Sequence, residues 1–388
     1  MIMELDKIGI YSEGREISTI IFDSEPHPSK FLDALRAYRK VFVVVDALAK
    51  ERSRPIVDIV QVLDSGGFPI LRIEATEQSK NMDTVLGICE WLLGCGADRD
   101  ALVVALGGGI TSDMVGFAAS IYKRGVRFAY VPTTLLAMVD AAIGGKTGVN
   151  FDKYKNMIGV IRQPEFTYIN SSVLSSLPRR DLLSGAAEML KTFIICNEND
   201  NYRKACDALS REDIDTKELM PLIAAAAGVK AGVVSRDQFE SGERRLLNLG
   251  HTFAHAIETL CRRAAETSGT SGTSGTPGTP GTSGTEQVTV GKYDVTHGEA
   301  VAMGIVLAAR LAERFSDRAE KGLAAALEAD FRSCGLPVDC PFSMDEMAPV
   351  MAKDKKAEGG IVHFVLPWKI GQVTTEDISC SKAAELMK

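Results

Sequence analysis

The sequence is poor in aromatic side chains. They make up 6% of 388 residues, with only two tryptophans, so a core must be built mainly from aliphatic groups and alanine. No apolar run reaches the roughly 18 residues that a bilayer-spanning helix requires, which argues against a membrane protein. The opening MIMELDKIGIYSEGREI lacks a basic segment followed by an apolar one, which argues against a secretory signal. The eight cysteines are scattered and none forms a C-x-x-C pair. They read as reduced cytosolic thiols, mostly buried, not as a disulfide framework. A strong charge of one sign is also missing: 44 basic against 51 acidic residues leave a net charge of −7. That disfavours general nucleic-acid binding while leaving room for a local basic pocket. What is present, 45% apolar and 24% charged residues, is ordinary for a soluble globular protein and excludes wholesale disorder, a collagen-like fibre and a coiled coil. At about 100–200 residues per domain, the length suggests two or three domains.

The first part alternates strand and helix signals. VFVVVD (Val41–Asp46) and LVVAL (Leu102–Leu106) are continuous buried-strand runs, and FPILRIE (Phe68–Glu74) is strand-like. Residues 55–63 form a short amphipathic stretch, and Met82, Val85, Leu86, Cys89, Leu92 and Leu93 recur at helical spacing. Such alternation predicts an α/β domain with a parallel sheet covered on both faces. After about residue 172 the texture changes. Segments 181–196, 217–236, 243–264, 297–315 and 318–333 are Ala/Leu/Glu-rich with helical periodicity, and a late strand is expected at 361–367. The expected organisation is therefore an α/β domain over 1–172 and a mainly α-helical domain over 173–388. Within the latter, residues 267–285 read TSGTSGTSGTPGTPGTSGT. This tract has no charge and no side chain able to build a core, so a flexible exposed insertion is expected.

Three constellations carry chemistry. The turn Gly107-Gly108-Gly109, continuing through Ser112 to Asp113, follows a buried strand and precedes a helical run. Backbone N–H groups and a helix N-terminus in that setting cradle phosphate. Ser112 stands where a full G-x-G-x-x-G has its third glycine, and a ligand-free tight turn is only slightly less favoured. A second polar stretch runs from Thr133 and Thr134 through Asp140 to GGKTG at Gly144–Gly148. No glycine sits five residues before Gly145, so the nucleotide P-loop reading is poor. A glycine-supported Lys146 in apolar surroundings nevertheless favours close ligand approach over a solvated loop.

The third constellation gathers three of the five histidines. His251 and His255 share a helix face at i, i+4, and His297-Gly-Glu299 follows later. Alone, the pair reads as two hydrogen-bonded core histidines. With Glu188 and Lys191 in an otherwise apolar helix and His297 also available, a divalent-metal site becomes the better reading. Arg124, Lys146, Lys155, Lys191, Lys230, Arg244, Lys355 and Lys356 sit near these segments. Each alone is an ordinary surface charge. Together, in an acidic protein, they suggest an anionic small molecule bearing phosphate or carboxylate.

These residues resemble one family in particular. The stretch LGGGITSDMVGFAASIYKRGVRFAYVPTTLLAMVDAAIGGKTGVN (Leu106–Asn150) is closely similar to 3-dehydroquinate synthases. So are KNMIG from Lys155, GAAEMLK from Gly185, RRLLNLGHTFAHAIE from Arg244, HGEAVAMG from His297 and DKK from Asp354. The motifs fall in the right order over residues 40–370. The resemblance implies a Rossmann-like NAD-binding domain joined to a helical metal- and substrate-binding domain. It also implies a cytoplasmic homodimer acting in the shikimate pathway, with NAD and one divalent ion, zinc or cobalt. The implied substrate is 3-deoxy-D-arabino-heptulosonate 7-phosphate. The implied course is transient oxidation of the carbon-5 hydroxyl, phosphate elimination, reduction, ring opening and aldol closure.

Carried over by motif position, the implied metal ligands are Glu188, His251 and His297, while His255 becomes a catalytic or substrate-contacting histidine. The implied catalytic set is completed by Lys191, Asp140, Lys146 and Asn156. Substrate contacts fall on Lys230, Arg244, Asn248 and one of Lys355 and Lys356, with Arg124 reaching the phosphate from the neighbouring subunit. The implied NAD pocket comprises Asp46, Glu77, Lys80, Gly108, Gly109, Asp113, Thr133, Thr134, Lys155 and Thr167. Two features depart from the family pattern: Ser112 for a glycine, and a longer spacer between His251 and His297 that holds the threonine–glycine tract. An exposed loop of that length adds little closure entropy. The alternatives are sister cyclases making a valiolone, a 2-deoxy-inosose or aminodehydroquinate, a metal-dependent polyol dehydrogenase, and an inactive binding protein. Arg244, Asn248 and the Lys355–Lys356 pair favour a substrate that carries a carboxylate.

Overall fold

The computed structural model describes residues 7–25, 28–47, 54–152, 154–268, 294–353 and 361–388. Lys355, Lys356 and the tract from residue 269 onward lie outside the described residues. The chain divides into two compact units, Met1–Leu247 and Asn248–Lys388.

The first unit begins with an antiparallel hairpin, β1 (Lys7–Ser12) and β2 (Arg15–Asp23). Strands and helices then alternate: α1 (Ser29–Leu35), β3 (Val41–Asp46), α2 (Arg54–Ser65), β4 (Ile70–Ile73), α3 (Met82–Gly94), β5 (Leu102–Gly107) and α4 (Gly109–Ile121). β6 (Arg127–Pro132), a separate hairpin of β7 (Lys146–Phe151) and β8 (Tyr154–Ile161), and β9 (Phe166–Asn170) follow. The main sheet has seven strands in the order β1-β2-β9-β6-β5-β3-β4. Every neighbouring pair is parallel except β1–β2. Val43, Val44, Val45 and residues 102–106 are wholly buried, as expected for strands covered on both faces. Each valine or leucine among them contributes about 1.5–3 kcal/mol by burial. The unit closes with α5 (Arg179–Ile195), α6 (Asn201–Leu209) and α7 (Met220–Arg236).

The second unit contains α8 (His251–Ser268), α9 (His297–Phe315), α10 (Leu323–Ser333), α11 (Met344–Met351), the hairpin β10 (Ile361–Lys369) and β11 (Gln372–Ser379), and α12 (Cys380–Met387). α8 and α9 meet through glycines. A Cβ on Gly304 would stand 2.2 Å from the Gly250 carbonyl oxygen, so only a bare backbone fits there.

The α/β and helical textures of the sequence are both present, with differences in detail. The run of helices begins at Arg179 with α5, and the boundary between the two compact units falls between Leu247 and Asn248. The helix expected over 243–264 is broken. Residues Glu243–Asn248 form a 3-10 turn, and Gly250 at φ +79 reorients the chain before α8. The helix expected from 318 begins only at Leu323, after Gly322 in a left-handed conformation. α8 itself runs to Ser268, two residues into the repetitive tract.

Candidate active site

In the first unit, the glycine turn after β5 is made by backbone. Gly108 is the N-cap of α4 and offers no side-chain cap, which leaves the first N–H groups of the helix open. The space around it is close: a Cβ on Gly108 would stand 3.3 Å from Thr134 Cγ2, and one on Gly109 would stand 2.9 Å from Ala141 Cβ. Ser112 is buried inside the first turn, and its Oγ donates to the Gly108 carbonyl at 3.2 Å, so the hydroxyl ties the turn together. Thr133 N donates to the Gly107 carbonyl at 2.9 Å, holding Thr133 and Thr134 beside the turn.

A polar chain runs along the same region. Lys80 is buried, and its Nζ donates to Asp113 Oδ2 at 2.5 Å and to Asn156 Oδ1 at 2.6 Å. Burial pushes the Asp113 carboxyl up, against the opposing Lys80 charge. Asn150 Nδ2 donates to Glu77 Oε2 at 3.0 Å, and Asn150 Oδ1 accepts from Asn156 N at 3.0 Å. Asp46 ends β3 and accepts from Ala75 N at 3.4 Å. Thr167 is buried and spends its hydroxyl proton on the Ala142 carbonyl at 3.1 Å. Lys155 is exposed on β8. Arg124 is exposed in a kinked turn, at φ 67, beside Lys123 at φ 49.

Asp140 is carried by one π-helical turn, Ala137–Ala141, a rare local geometry that is frequent at functional sites. Lys230 on α7 donates to Asp140 Oδ1 at 2.5 Å and to its carbonyl at 2.6 Å. Burial raises the Asp140 carboxyl, but the Lys230 and Lys191 charges outweigh it and hold the group below the ordinary range. Lys230 is pushed down by burial, with Asp140 opposing. On α5, Glu188 and Lys191 are fully enclosed and form an ion pair. Burial lowers Lys191, yet the Glu188 and Asp140 carboxylates more than compensate and hold it charged. A Cβ on Gly185 would stand 2.3 Å from Leu136 N, so glycine lets α5 pack onto the segment that enters the π turn. Lys146 pairs with Glu240. Arg244 is 2% exposed, and its Nη2 donates to the Gly144 carbonyl at 2.9 Å.

In the second unit, the histidines stand on the facing helices α8 and α9. The His251 ring lies 5.6 Å from that of His255 and 5.5 Å from that of His297, centroid to centroid. His251 Nδ1 faces the Leu249 carbonyl at 3.2 Å, and His297 Nδ1 faces Glu258 Oε1 at 3.4 Å. A carbonyl or carboxylate oxygen at Nδ1 favours the tautomer with its proton there, which suits Nε2 to ligation. Glu299, beside His297, is occupied otherwise. Its carboxylate accepts from Thr296 N at 2.7 Å and Thr296 Oγ1 accepts from Glu299 N, a capping box that starts α9 and fixes His297 in its first turn. Among the described residues, one ligand atom each from Glu188, His251 and His297 lies within 4.8 Å of the others. That donor set, two imidazoles and a carboxylate, suits a borderline divalent ion such as zinc or cobalt. His255, which helical spacing alone pairs with His251, is not in the group. Asn248 closes the 3-10 turn before α8.

Two acidic partners were not among the expected site residues: Glu258, whose carboxylate faces His297 Nδ1, and Glu240, which pairs with Lys146. Glu258 lies seven residues after His251, two turns along the same helix, and that spacing was the available signal. Glu240 sits in a mixed-charge stretch with no such periodicity.

A mainly parallel sheet unit followed by a mainly helical unit is a fold that this chain shares with solved sugar-phosphate cyclases. Two solved structures share the fold. A 2-deoxy-scyllo-inosose synthase complexed with carbaglucose-6-phosphate, NAD+ and Co2+ superposes with a TM-score of 0.78 at 23% identity, covering 98% of this chain and 99% of that one. A 2-epi-5-epi-valiolone synthase from Streptomyces hygroscopicus subsp. jinggangensis 5008, with NAD+ and Zn2+ bound, gives 0.74 at 25% identity, covering 95% and 94%. The sequence is more specific. The family model of the 3-dehydroquinate synthase N-terminal domain matches residues 70–184, and that of the C-terminal domain matches 185–271 and 284–357. The 3-dehydroquinate synthase of Pyrococcus abyssi (strain GE5 / Orsay) is 36% identical over 362 residues, 93% of this chain and 96% of that protein. The chain belongs to the 3-dehydroquinate synthase family.

Proposed function

We propose that the chain converts 3-deoxy-D-arabino-heptulosonate 7-phosphate to 3-dehydroquinate and phosphate, acting as a carbon–oxygen lyase with NAD and one divalent ion. The observation that carries this reading is the grouping of Glu188, His251 and His297 within a chain whose two halves both match the family. Glu188, His251 and His297 would hold the ion, and the turn at Gly108 and Gly109 with Asp46, Glu77, Lys80, Asp113, Thr133, Thr134, Lys155 and Thr167 would hold NAD. Bound there, NAD would supply reversible oxidation of the carbon-5 hydroxyl and the cation would polarise the oxygen at that carbon.

The chain's own residues supply the rest. Lys146, Lys191, Lys230 and Arg244 concentrate positive charge for an anionic substrate, and the deepest of them are already desolvated. Asp140, held ionised by Lys230, is an acceptor for a substrate hydroxyl. Asn156, fixed by Lys80 and Asn150, and His255 on α8 complete the polar set. Asn248 and one of Lys355 and Lys356 would join the substrate contacts.

The same reading places the enzyme in the cytoplasm as a homodimer, with a small sugar phosphate as its partner and neither nucleic acid nor membrane. All eight cysteines are free thiols, and no described helix is long and apolar enough to cross a membrane. Phe151, Tyr154, Met157 and Val160 leave large apolar surface exposed on the β7–β8 hairpin, which a second copy would cover, and Arg124 would then serve the neighbouring subunit.

Phosphate release from the heptulosonate phosphate, followed with and without chelator, tests the proposal. Stoichiometric phosphate with no accumulation of NADH is expected, and chelator abolishes it. Net NADH from a simple alcohol would replace this reading with a polyol dehydrogenase. Preference for a sugar phosphate without a carboxylate would replace it with a sister cyclase.

A further inference from the structure

The loop that follows α7 is knotted around one carboxylate. Asp237 Oδ1 accepts from Ser241 N at 2.9 Å and from Ser241 Oγ at 3.0 Å. Its Oδ2 accepts from Gly242 N at 2.7 Å and from Arg244 N at 3.0 Å. Three consecutive-turn N–H groups on one carboxylate stabilise the ionised form, and the carboxyl is pushed down to about 2 by these bonds in spite of the desolvation that opposes them. Outside the knot, Arg236 and Glu243 close the loop ends with two bonds of 2.8 Å.

The knot ends on a residue with an unusual side chain. The Arg244 guanidinium is buried, and it donates to the Gln238 carbonyl at 2.5 Å and to the Gly144 carbonyl at 2.9 Å. Gly144 is required at that contact: its φ is +100, and a Cβ there would stand 2.6 Å from Arg244 Nη2. A guanidinium has five N–H donors, and these two carbonyls take only part of them. Among the described residues no carboxylate forms an ion pair with it. A desolvated cation held by neutral carbonyls is poised for an anionic ligand. The same loop carries Glu240, at φ 61, which pairs with Lys146.

We infer that Asp237 is a positioning residue that fixes the backbone at Arg244, and so aims the guanidinium at an anionic group of the substrate. The inference rests on the proposed function for the identity of that substrate. It adds a residue that touches no reacting atom and acts through Arg244.

A double-mutant cycle tests it with the holoenzyme. Misplacing a buried binding group by a fraction of an ångström to 1 Å costs up to about 100-fold. Asp237→Ala is therefore expected to raise KM for the heptulosonate phosphate by about 10- to 100-fold, with kcat and NAD affinity changed less than about threefold. In an Arg244→Ala background the same substitution is expected to add nothing, because the group it positions is gone. Asp237→Asn, which keeps one acceptor oxygen, is expected to fall between, and it serves if the alanine variant does not fold. Additive effects of the two substitutions on KM, or an unchanged KM in Asp237→Asn and Asp237→Ala, would overturn the inference. If the wild-type chain releases no phosphate, the proposed function falls first. Asp237 is then judged by amide hydrogen exchange: faster exchange at Gly242 and Arg244 in Asp237→Asn supports the knot, and unchanged exchange refutes it.

Discussion

The glycine turn after β5 and the histidine group on α8 and α9 are built by opposite means. The turn is made of main chain. Its open N–H groups come from a helix start without a side-chain cap, and its glycines exclude side chains from Thr134 and Ala141. The histidine group is made of side chains on rigid helices, each ring oriented by a partner and the helices brought together at Gly250 and Gly304. A main-chain site tolerates a small residue that points away from the ligand, as Ser112 does by bonding the Gly108 carbonyl. A side-chain site tolerates neither loss of a ring nor a shift of the helices that carry it. The charged pocket of the first unit belongs to the second kind.

The sharpest test of that contrast is Lys191→Ala. It removes the cation paired with buried Glu188, and kcat should fall by about 100- to 1000-fold, the scale of losing one preorganised donor, with NAD affinity unchanged in a fluorescence titration. Equal loss of NAD affinity would show that the two sites are not independent. Next comes Gly304→Ala, whose methyl meets main chain at 2.2 Å and has no flexible neighbour to displace. We expect about 1–3 kcal/mol of lost stability in urea unfolding, together with reduced metal content.

Glu258→Gln leaves the helices alone and weakens only the orientation of His297. Metal affinity should drop by about 10- to 100-fold in a competition titration, while the unfolding midpoint barely moves. On the main-chain side, Ser112→Gly should change stability by about 1 kcal/mol or less and leave NAD affinity within about twofold. A large loss would mean that the serine is part of the cradle. The smallest expected effect is in acid. The folded Asp237 carboxyl sits at about 2, below the unfolded value of about 3.9. Its contribution to stability is therefore complete above about pH 3.9 and disappears as pH falls through 2. Asp237→Asn should flatten the acid limb of the stability curve in that window, and an unchanged limb would remove Asp237 as its source.

The legibility of these parts differed for physical reasons. β3 and β5 were plain in the sequence because both faces are buried and every residue before the terminal Asp46 and Gly107 is apolar. The β7–β8 hairpin was not, because β8 is exposed along most of its length and carries no alternation to read. The π turn that presents Asp140 leaves no trace in composition. The glycine turn and the histidines were legible as motifs, whereas spacing alone paired His251 with His255. His255 and His297 lie equally near His251, at 5.6 and 5.5 Å between ring centroids, yet the ligand group comprises His297 and Glu188 with His251 and not His255. Asp237 was invisible within SRDQFESGE, where a single acid among mixed charges looks solvated. Its signal was local: an acid at a helix C-terminus followed by Ser and Gly four and five residues on, a spacing that lets one carboxylate collect successive N–H groups.

The most direct measurement is turnover of the heptulosonate phosphate by protein stripped of metal and then titrated with zinc or cobalt. No phosphate release is expected from the stripped protein, with recovery that saturates at one ion per chain and no recovery in Glu188→Gln. Full phosphate release by the stripped protein would contradict that expectation.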